Sequence, residues 1–253
     1  ILEYLNETVD EYDLRKKIIF NQKVIASNWV SEKSIWELTI VSNGQQFAMT
    51  CNFLFLCGGY YSYDKPYMPE FPHQDEFKGR LIHPQFWDED MDYTNKKVIV
   101  IGSGATAVTL VPAIAEKAAH VTMLQRSPSY VVSAPGEDSW SKGLNKIFPI
   151  RLTYFLIRWK NVLRTSLGFY LSRKYPAKVK QKLINLVREE LGDDFDVDKH
   201  FTPRYNPWDQ RMCLVPDSDL FNAIKAGQAS VVTDHIDRFT KDGIQIKSGD
   251  FID

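Results

Sequence analysis

The chain has 253 residues, of which 44% are hydrophobic and 25% are charged, a composition that is ordinary for a globular protein and sufficient for one large domain or two small ones. Its net charge of −1 gives no electrostatic support to a nucleic-acid partner. The three cysteines form no C-x-x-C pair, which argues against a disulfide framework or metal site and favours a reducing compartment. No apolar run reaches the ~18 residues of a membrane span and no signal peptide is present. A cytoplasmic location is therefore expected.

The first sixty residues predict a helix followed by an antiparallel meander. Residues 1–13 have helical spacing, and because Ile1 already belongs to that pattern, we expect the chain to begin inside a larger fold. Turn-forming residues at 31–34 and 42–44 separate short strand-like runs. Residues 53–57 form a continuous apolar run, typical of a strand that is buried on both faces of a parallel sheet. The four preceding strand-like runs are residues 17–20, 24–29, 35–41 and 46–50.

The pattern changes to β-α-β from Lys96 onward. A strand at residues 98–101 leads through a glycine-rich turn into a helix that extends to about Ala118, and a second strand follows at residues 120–124. Residues 142–191 are predicted to be mostly helical. The chain closes with short strands at residues 231–233, 236–240, 244–247 and 251–252.

The two meanders follow the same plan. Residues 18–57 and 231–253 each show a short strand, a β excursion and a return towards a buried strand, and the second stops before that return. This indicates an α/β fold with two dinucleotide-binding units of the Rossmann-like, three-layer kind, both incomplete, with antiparallel meanders and a helical insert. The alternative is that two unrelated hairpins share a pattern by chance.

The glycine-rich turn predicts a phosphate-binding loop. Gly102 permits a tight turn, Gly104 lets the backbone approach a pyrophosphate, and Ala107 allows close packing of helix and strand. The start of the helix supplies free N–H groups and partial positive charge. The alternative is a glycine-rich turn in a sheet that binds nothing. The predicted cofactor-binding residues here are Gly102, Ser103, Gly104, Ala105 and Thr106.

The end of the second strand predicts which nucleotide is bound. An NAD site usually places Asp or Glu there for the ribose 2′-hydroxyl, but here the strand ends in Arg126 and Ser127, with no carboxylate. Arg126 offers a planar fork for a 2′-phosphate and Ser127 another donor, which favours NADPH over NADH. The alternative is a solvated arginine at the end of a strand.

A longer motif lies just upstream of this loop. Residues 77–88 match the pattern F-x-G-x-x-x-H-x-x-x-W-[PD] at every fixed position, through Phe77, Gly79, His83, Trp87 and Asp88. This motif resembles the fingerprint of flavin-dependent monooxygenases of the Baeyer–Villiger type. Residues 53–61, 98–130 and 205–221 are most similar to the ethionamide-activating members of that group.

The resemblance implies how the chain is organised. Residues 1–60 would form the rear part of an FAD-binding domain, residues 61–92 a linker with the fingerprint, and residues 93–253 an NADPH-binding domain, with a helical insert at about 138–200 and without its last strand. The FAD fingerprint of the family is absent, so the chain resembles a fragment that binds FAD weakly and does not turn over. Val24 would lie near the FAD adenine through its backbone. His83 would couple NADPH binding to movement between domains.

The resemblance also implies a catalytic arginine. It assigns this role to Arg211, whose charge would stabilise the negative charge that develops when oxygen is transferred to a carbonyl. Gln210 occupies a place often held by a lysine that contacts the 2′-phosphate. Apart from the resemblance, Arg211 could equally form an ion pair with Asp209, Asp217 or Asp219.

The implied parent reaction uses NADPH, FAD and O₂ to insert oxygen beside the carbonyl of a small apolar ketone, or to transfer it to sulfur or nitrogen nucleophiles such as thioamides and sulfides. Two rivals remain, a stand-alone NADP-binding module without catalysis and another reductase with two dinucleotide domains. The absence of a C-x-x-C pair disfavours the second rival.

The helical insert is strongly basic. Residues 142–188 contain twelve Lys and Arg, no Asp or Glu, and several aromatic residues. One interpretation is an amphipathic insert with one face in the core and a solvated basic face. The other is a surface that lies on anionic lipid and collects apolar substrate, which would make the protein membrane-associated.

Overall fold

The computed structural model describes residues 1–59 and 61–253, and within these the side chain of Lys142 is not described. Tyr60, the end of the first predicted segment, and the side chain of Lys142, the first base of the insert, therefore lie outside the described residues. The chain divides into two compact units, Ile1–Tyr63 and Asp64–Asp253. The residues of the predicted linker from Asp64 onward belong to the second unit. The assignment of these segments to FAD and NADPH domains stays a prediction.

The first unit is a helix followed by an antiparallel meander, as predicted. Helix α1 (Leu2–Glu11) leads through a short 3-10 helix, Leu14–Lys17, into a sheet of order β1-β2-β3. The rings of Trp29 and Trp36 face each other across β1 and β2 with centroids 5.5 Å apart. The strands are β1 (Lys23–Val30), β2 (Ile35–Ser42) and β3 (Gln45–Cys51).

Two predicted strands of this unit were wrong. Residues 17–20 are not a strand. Residues 53–57 also form no strand, and Phe53, Phe55 and Leu56 are 78%, 77% and 80% exposed. A strand gains its hydrogen bonds only from a neighbouring strand, and within the described residues neither segment has one. Residues 53–57 are apolar, as the sequence shows, but an apolar run forms a strand only when a neighbouring strand supplies its backbone hydrogen bonds.

The core of the second unit is the predicted β-α-β element. Strand β4 (Lys97–Ile101), helix α2 (Ala105–Ala115) and strand β5 (His120–Gln125) place two parallel strands in register, with Ile101 opposite Leu124. Strand β8 (Ala229–Thr233) adds to the other side of β5, giving the order β4-β5-β8. Helix α2 covers this sheet with fully buried apolar side chains.

The segment between β5 and β8 contains the helical insert and one unpredicted sheet. Strands β6 (Tyr130–Ala134) and β7 (Met212–Pro216) pair in parallel and flank the insert. Helix α5 buries Ile184 and Val187, as an amphipathic helix should, whereas α4 buries only Thr153 and Ser172.

No helix in the described part of the chain is long and apolar enough to cross a membrane, and contact with anionic lipid stays a prediction. The helices are α3 (Ser139–Leu144), α4 (Ile150–Lys174), α5 (Pro176–Leu191), α6 (Val197–His200) and α7 (Asp219–Lys225).

The chain closes with a second meander, as predicted, but residues 231–233, predicted as its first strand, belong instead to β8 of the parallel sheet. Strands β9, β10 and β11 form an antiparallel sheet of order β11-β10-β9. A second apolar cluster lies under it, in which Phe239 contacts the rings of Phe71 and Phe77. The strands are β9 (Ile236–Phe239), β10 (Ile244–Ile246) and β11 (Phe251–Ile252).

Candidate functional site

The glycine-rich turn is a tight connection between β4 and α2. Gly102 has φ +135°, in a region that side chains rarely adopt, and its N–H donates to the carbonyl of Leu124 at 2.8 Å. Gly104 then caps the start of α2 in an extended conformation. Ala105 and Thr106 are exposed, so the free N–H groups at the start of the helix are accessible to an anion.

The end of β5 is tied to this turn. The Ser103 hydroxyl donates to the carbonyl of Ser127 at 3.2 Å and lies 3.1 Å from the hydroxyl of Ser129. Arg126, directly before the anchored Ser127, is exposed and makes no hydrogen bond or ion pair with any residue that the structure describes. Its guanidinium group is therefore free to bind a ligand.

Arg211 lies directly over the turn. A Cβ atom added to Gly104 would collide with the guanidinium group of Arg211, so the end of the Arg211 side chain lies in contact with the backbone of the turn. The two residues lie in an open groove of about 590 Å³. The lining of this groove is Gly102, Ser103, Gly104, Ser129, Tyr205, Gln210 and Arg211. The fold thus brings together the predicted loop, Gln210 and Arg211 from distant parts of the sequence.

The segment before β7 holds Arg211 in place through its backbone. The Tyr205 hydroxyl donates to the carbonyl of Arg211 at 3.0 Å, and the Tyr130 hydroxyl donates to the carbonyl of Tyr205 at 2.7 Å. The rings of Tyr130 and Tyr205 meet edge to face with centroids 5.2 Å apart. Burial raises the pKa of Tyr130 to about 12, so its hydroxyl stays protonated and remains a donor at neutral pH.

The three carboxylates considered as partners of Arg211 bind elsewhere. Asp209 accepts a hydrogen bond from Arg173 at 2.6 Å, which holds the pKa of Asp209 below its ordinary value. Asp217 accepts from the backbone of Gly136, and Asp219 from its neighbour along the chain. Within the described residues Arg211 forms no ion pair, so the ion-pair interpretation was wrong and its charge faces the groove.

The fingerprint motif packs by its aromatic and glycine positions. The Phe77 ring lies against Phe239 with centroids 5.9 Å apart, and a Cβ atom on Gly79 would collide with that same ring. Trp87 meets Tyr93 edge to face and packs on the main core of the second unit. These positions therefore fix the motif to the second unit.

The polar positions of the fingerprint have separate contacts. Asp88 forms an ion pair with Arg80, and this hydrogen bond holds the pKa of Asp88 below its ordinary value. The His83 ring nitrogen Nδ1 accepts from the backbone N–H of Gln85 at 3.2 Å. His83 is not among the residues that line the groove, so the structure does not bring it to the nucleotide loop.

Val24 lies in the first unit, on β1, where it pairs with Ile40 of β2. The strand register shifts between Val24 and Ala26, and the Val24 side chain is half exposed. Its predicted backbone contact with an FAD adenine stays a prediction.

A family model described as flavin-binding monooxygenase-like (FMO-like) matches residues 1–195, more than half of the chain. The chain belongs to the flavin-binding monooxygenase-like family. The resemblance inferred from the fingerprint is thereby confirmed.

Curated relatives in the family match along almost the whole chain. It is 50% identical over 250 residues to the FAD-containing monooxygenase EthA of Mycobacterium tuberculosis H37Rv, covering 98% of this chain and 51% of EthA. It is 49% identical over 253 residues to the probable FAD-binding monooxygenase AlmA of Acinetobacter baylyi, covering 99% of this chain and 50% of AlmA. The chain thus spans about half the length of the curated relatives that it matches.

Solved structures share the fold at low identity. Cyclohexanone monooxygenase from Rhodococcus sp. Phi1 bound to NADP+ superposes with a TM-score of 0.72 at 19% identity, covering 100% of this chain and 54% of that one. OTEMO in complex with FAD and NADP superposes with a TM-score of 0.69 at 21% identity, covering 98% and 54%. These likenesses show the α/β fold that the sequence predicted.

Two groove residues of this family member were missed from the sequence. Ser129 and Tyr205 line the groove beside the predicted residues. Ser129 lies two residues beyond the predicted Ser127, and Tyr205 begins the stretch 205–221 that carries part of the family resemblance. Their contacts depend on the unpredicted pairing of β6 with β7.

Proposed function

We propose that this chain is the NADPH-binding portion of an FAD-dependent monooxygenase that transfers one oxygen atom from O₂ to a small apolar substrate. The observation that carries the proposal is the groove, in which the glycine-rich turn, the start of α2 and Arg211 converge. A turn with two glycines, free helix N–H groups and an uncompensated cation would together form a site for a pyrophosphate.

A dinucleotide would meet these residues at both of its phosphate groups, one in the groove and one at the end of β5, where Arg126 and Ser127 lie outside the lining of the groove. The pyrophosphate would bind the backbone of residues 102–106, with Arg211 across from it. The exposed Arg126, with Ser127 beside it, would bind the 2′-phosphate that distinguishes NADPH from NADH. Gln210 would contribute a neutral donor and acceptor in the same groove.

FAD supplies the oxygen-transfer chemistry in such an enzyme when it is bound. We assign residues 1–60 to the rear part of the FAD-binding domain, residues 61–92 to a linker and residues 93–253 to the NADPH-binding domain. Val24 would offer only a peripheral contact to FAD. His83 would act through movement of the linker, since it makes a local backbone contact and does not line the groove. Arg211 would hold a fixed positive charge near the reacting atoms.

The substrate class is part of the same proposal. Cyclohexanone monooxygenase is by name an enzyme of a ketone, so a ketone is the first candidate, with thioamides and sulfides as soft nucleophiles. The rival function, an NADP-binding module without catalysis, shares the same groove. The two functions make different predictions for the intact protein: a monooxygenase consumes O₂ and NADPH when an apolar ketone is present, whereas a binding module does not.

NADPH binding to the chain is the direct test. Gly104→Ala would place a methyl group between the loop and the pyrophosphate, and an overpacked contact costs about 1–3 kcal/mol, which corresponds to an affinity lower by roughly 5- to 150-fold. Gly168→Ala is the matched control, because nothing lies within 4 Å of its Cβ position. Absence of NADPH binding by the unmodified chain, or equal affinity of the two variants, would contradict the proposed groove.

A further inference from the structure

A buried hydrogen-bond network lies at the carboxyl end of the parallel sheet, directly behind Arg126. Gln125, the last residue of β5, is 1% exposed. Its side-chain amide donates to the carbonyl of His200 at 2.7 Å and to the hydroxyl of Thr233 at 2.8 Å. Thr233 is the last residue of β8 and pairs directly with Gln125, so one amide joins two strands to the end of α6.

The network continues to the ring of His200. Its Nδ1 atom lies 2.8 Å from the hydroxyl oxygen of Thr233, and burial lowers the pKa of His200 below its ordinary value. The Nδ1 atom of a neutral ring accepts a hydrogen bond from the Thr233 hydroxyl, and the oxygen of that hydroxyl accepts one from the Gln125 amide. Each N–H of the Gln125 amide and the O–H of Thr233 then has one acceptor in this hydrogen-bond network.

The remaining polar atom of the Gln125 side chain, the amide oxygen Oε1, does not contribute to the stability of the fold. Its Oε1 atom is buried and has no hydrogen-bond partner among the described residues. A buried polar atom without a partner destabilises the folded state relative to an apolar residue of the same size. The contribution of Gln125 therefore lies in its two donated hydrogen bonds.

These bonds anchor one side of Arg126, and Ser127 anchors the other. The Gln125 carbonyl accepts from the N–H of Asp234 at 3.0 Å, and the Ser127 carbonyl accepts from Ser103 at 3.2 Å. Arg126 itself has no partner among the described residues. The backbone on either side of Arg126 therefore sets the point and the angle at which its side chain leaves the strand end.

We propose that Gln125 is a positioning residue that, through Thr233 and His200, fixes the strand end presenting Arg126 and so sets the preference for NADPH over NADH. The inference rests on the proposed NADPH site. A merely structural role predicts something else, namely lower stability with the same fractional loss of affinity for both nucleotides. The ratio of the two affinities separates the roles, because NADH lacks the 2′-phosphate that Arg126 would bind.

The test titrates NADPH and NADH into the 253-residue chain and its variants. Gln125→Met keeps the volume and removes both donors, and loss of one such hydrogen bond corresponds to about a fivefold change in an equilibrium constant. We expect the preference for NADPH to fall by about this factor in Gln125→Met and Thr233→Val, and to be retained in Thr233→Ser, which keeps the hydroxyl. Thr122→Val is the matched control, because Thr122 bonds to Ser230 between the same two strands, away from the carboxyl end.

The outcomes separate the two proposals. If the unmodified chain binds neither nucleotide, the proposed function is wrong and this inference falls with it. If the chain prefers NADPH and Gln125→Met keeps that preference, or loses both affinities equally, only the positioning role is refuted. Should Gln125→Met fail to fold, the contrast between Thr233→Val and Thr233→Ser decides, and equal preference in these two refutes the role.

Discussion

Replacement of Arg126 by alanine tests the assignment of NADPH as the bound nucleotide, and the exposure of Arg126 in the structure sets the size of the expected fall in affinity. A hydrogen bond involving a charged group contributes about 1.5–3 kcal/mol, and because Arg126 is exposed at the end of β5, solvent screening reduces this to about 1–2 kcal/mol. NADPH affinity should therefore fall about 5- to 30-fold. NADH affinity should change little, because NADH has no phosphate at the 2′ position.

Titration of both nucleotides against the chain and Arg126→Ala measures the effect. Arg238→Ala is the control, since Arg238 is an exposed arginine on β9 of the same unit. Higher salt should narrow the difference between the two nucleotides, because exposed charges are screened. Equal weakening of NADPH and NADH would show that Arg126 supports a part of the site common to both. No change with either nucleotide would leave Arg126 as a solvated arginine at the end of a strand.

Three further predictions concern stability and catalysis. Gly79→Ala should lower the free energy of unfolding by about 1–3 kcal/mol through collision with the Phe77 ring, as measured by urea denaturation against the unmodified chain, and unchanged stability would contradict this packing. Burial lowers the pKa of His200 in the folded chain below its ordinary value of 6.5, so the unfolded chain takes up a proton first as the pH falls. The contribution of His200 to stability is therefore present above pH 6.5 and is lost as the pH falls towards the pKa of the folded chain. Urea midpoints measured across this pH range should show the loss in the unmodified chain and lack it in His200→Asn. In the full-length protein, Arg211→Ala should still consume NADPH but release hydrogen peroxide in place of oxygenated ketone, with a smaller loss for a sulfide; coupled ketone oxygenation at the original rate would exclude a catalytic Arg211.

The elements that the sequence predicted best are those fixed by local pattern. The β4-α2-β5 element follows from an apolar strand, a glycine-rich turn and an apolar helix that are adjacent in the chain, so no distant partner was needed to recognise it. The meander β1-β2-β3 is equally local, with turn-forming residues between its strands. Residues 53–57 show the limit of such patterns, because an apolar run forms a strand only beside another strand.

The parts that could not be predicted depend on contacts between distant segments. Strands β6 and β7 pair across the whole helical insert, and nothing in either five-residue segment specifies its partner. The positions of Ser129 and Tyr205 in the groove follow from that pairing, and so both were missed. The hydrogen bonds of Gln125 join three segments that are far apart in sequence. The sequence pattern places Gln125 at the end of a strand, directly before Arg126, but does not predict these partners.

The position of Arg211 gives the strongest physical reason for an anion in the groove. Its guanidinium group lies against Gly104 at the start of α2, where the helix already carries partial positive charge. Two positive groups at such close approach are unfavourable unless a negative charge compensates them, and no described carboxylate pairs with Arg211. The backbone hydrogen bond from Tyr205 nevertheless holds the segment in place. The fold therefore maintains an uncompensated positive charge over a glycine-rich loop, and a bound pyrophosphate would relieve the repulsion at that point.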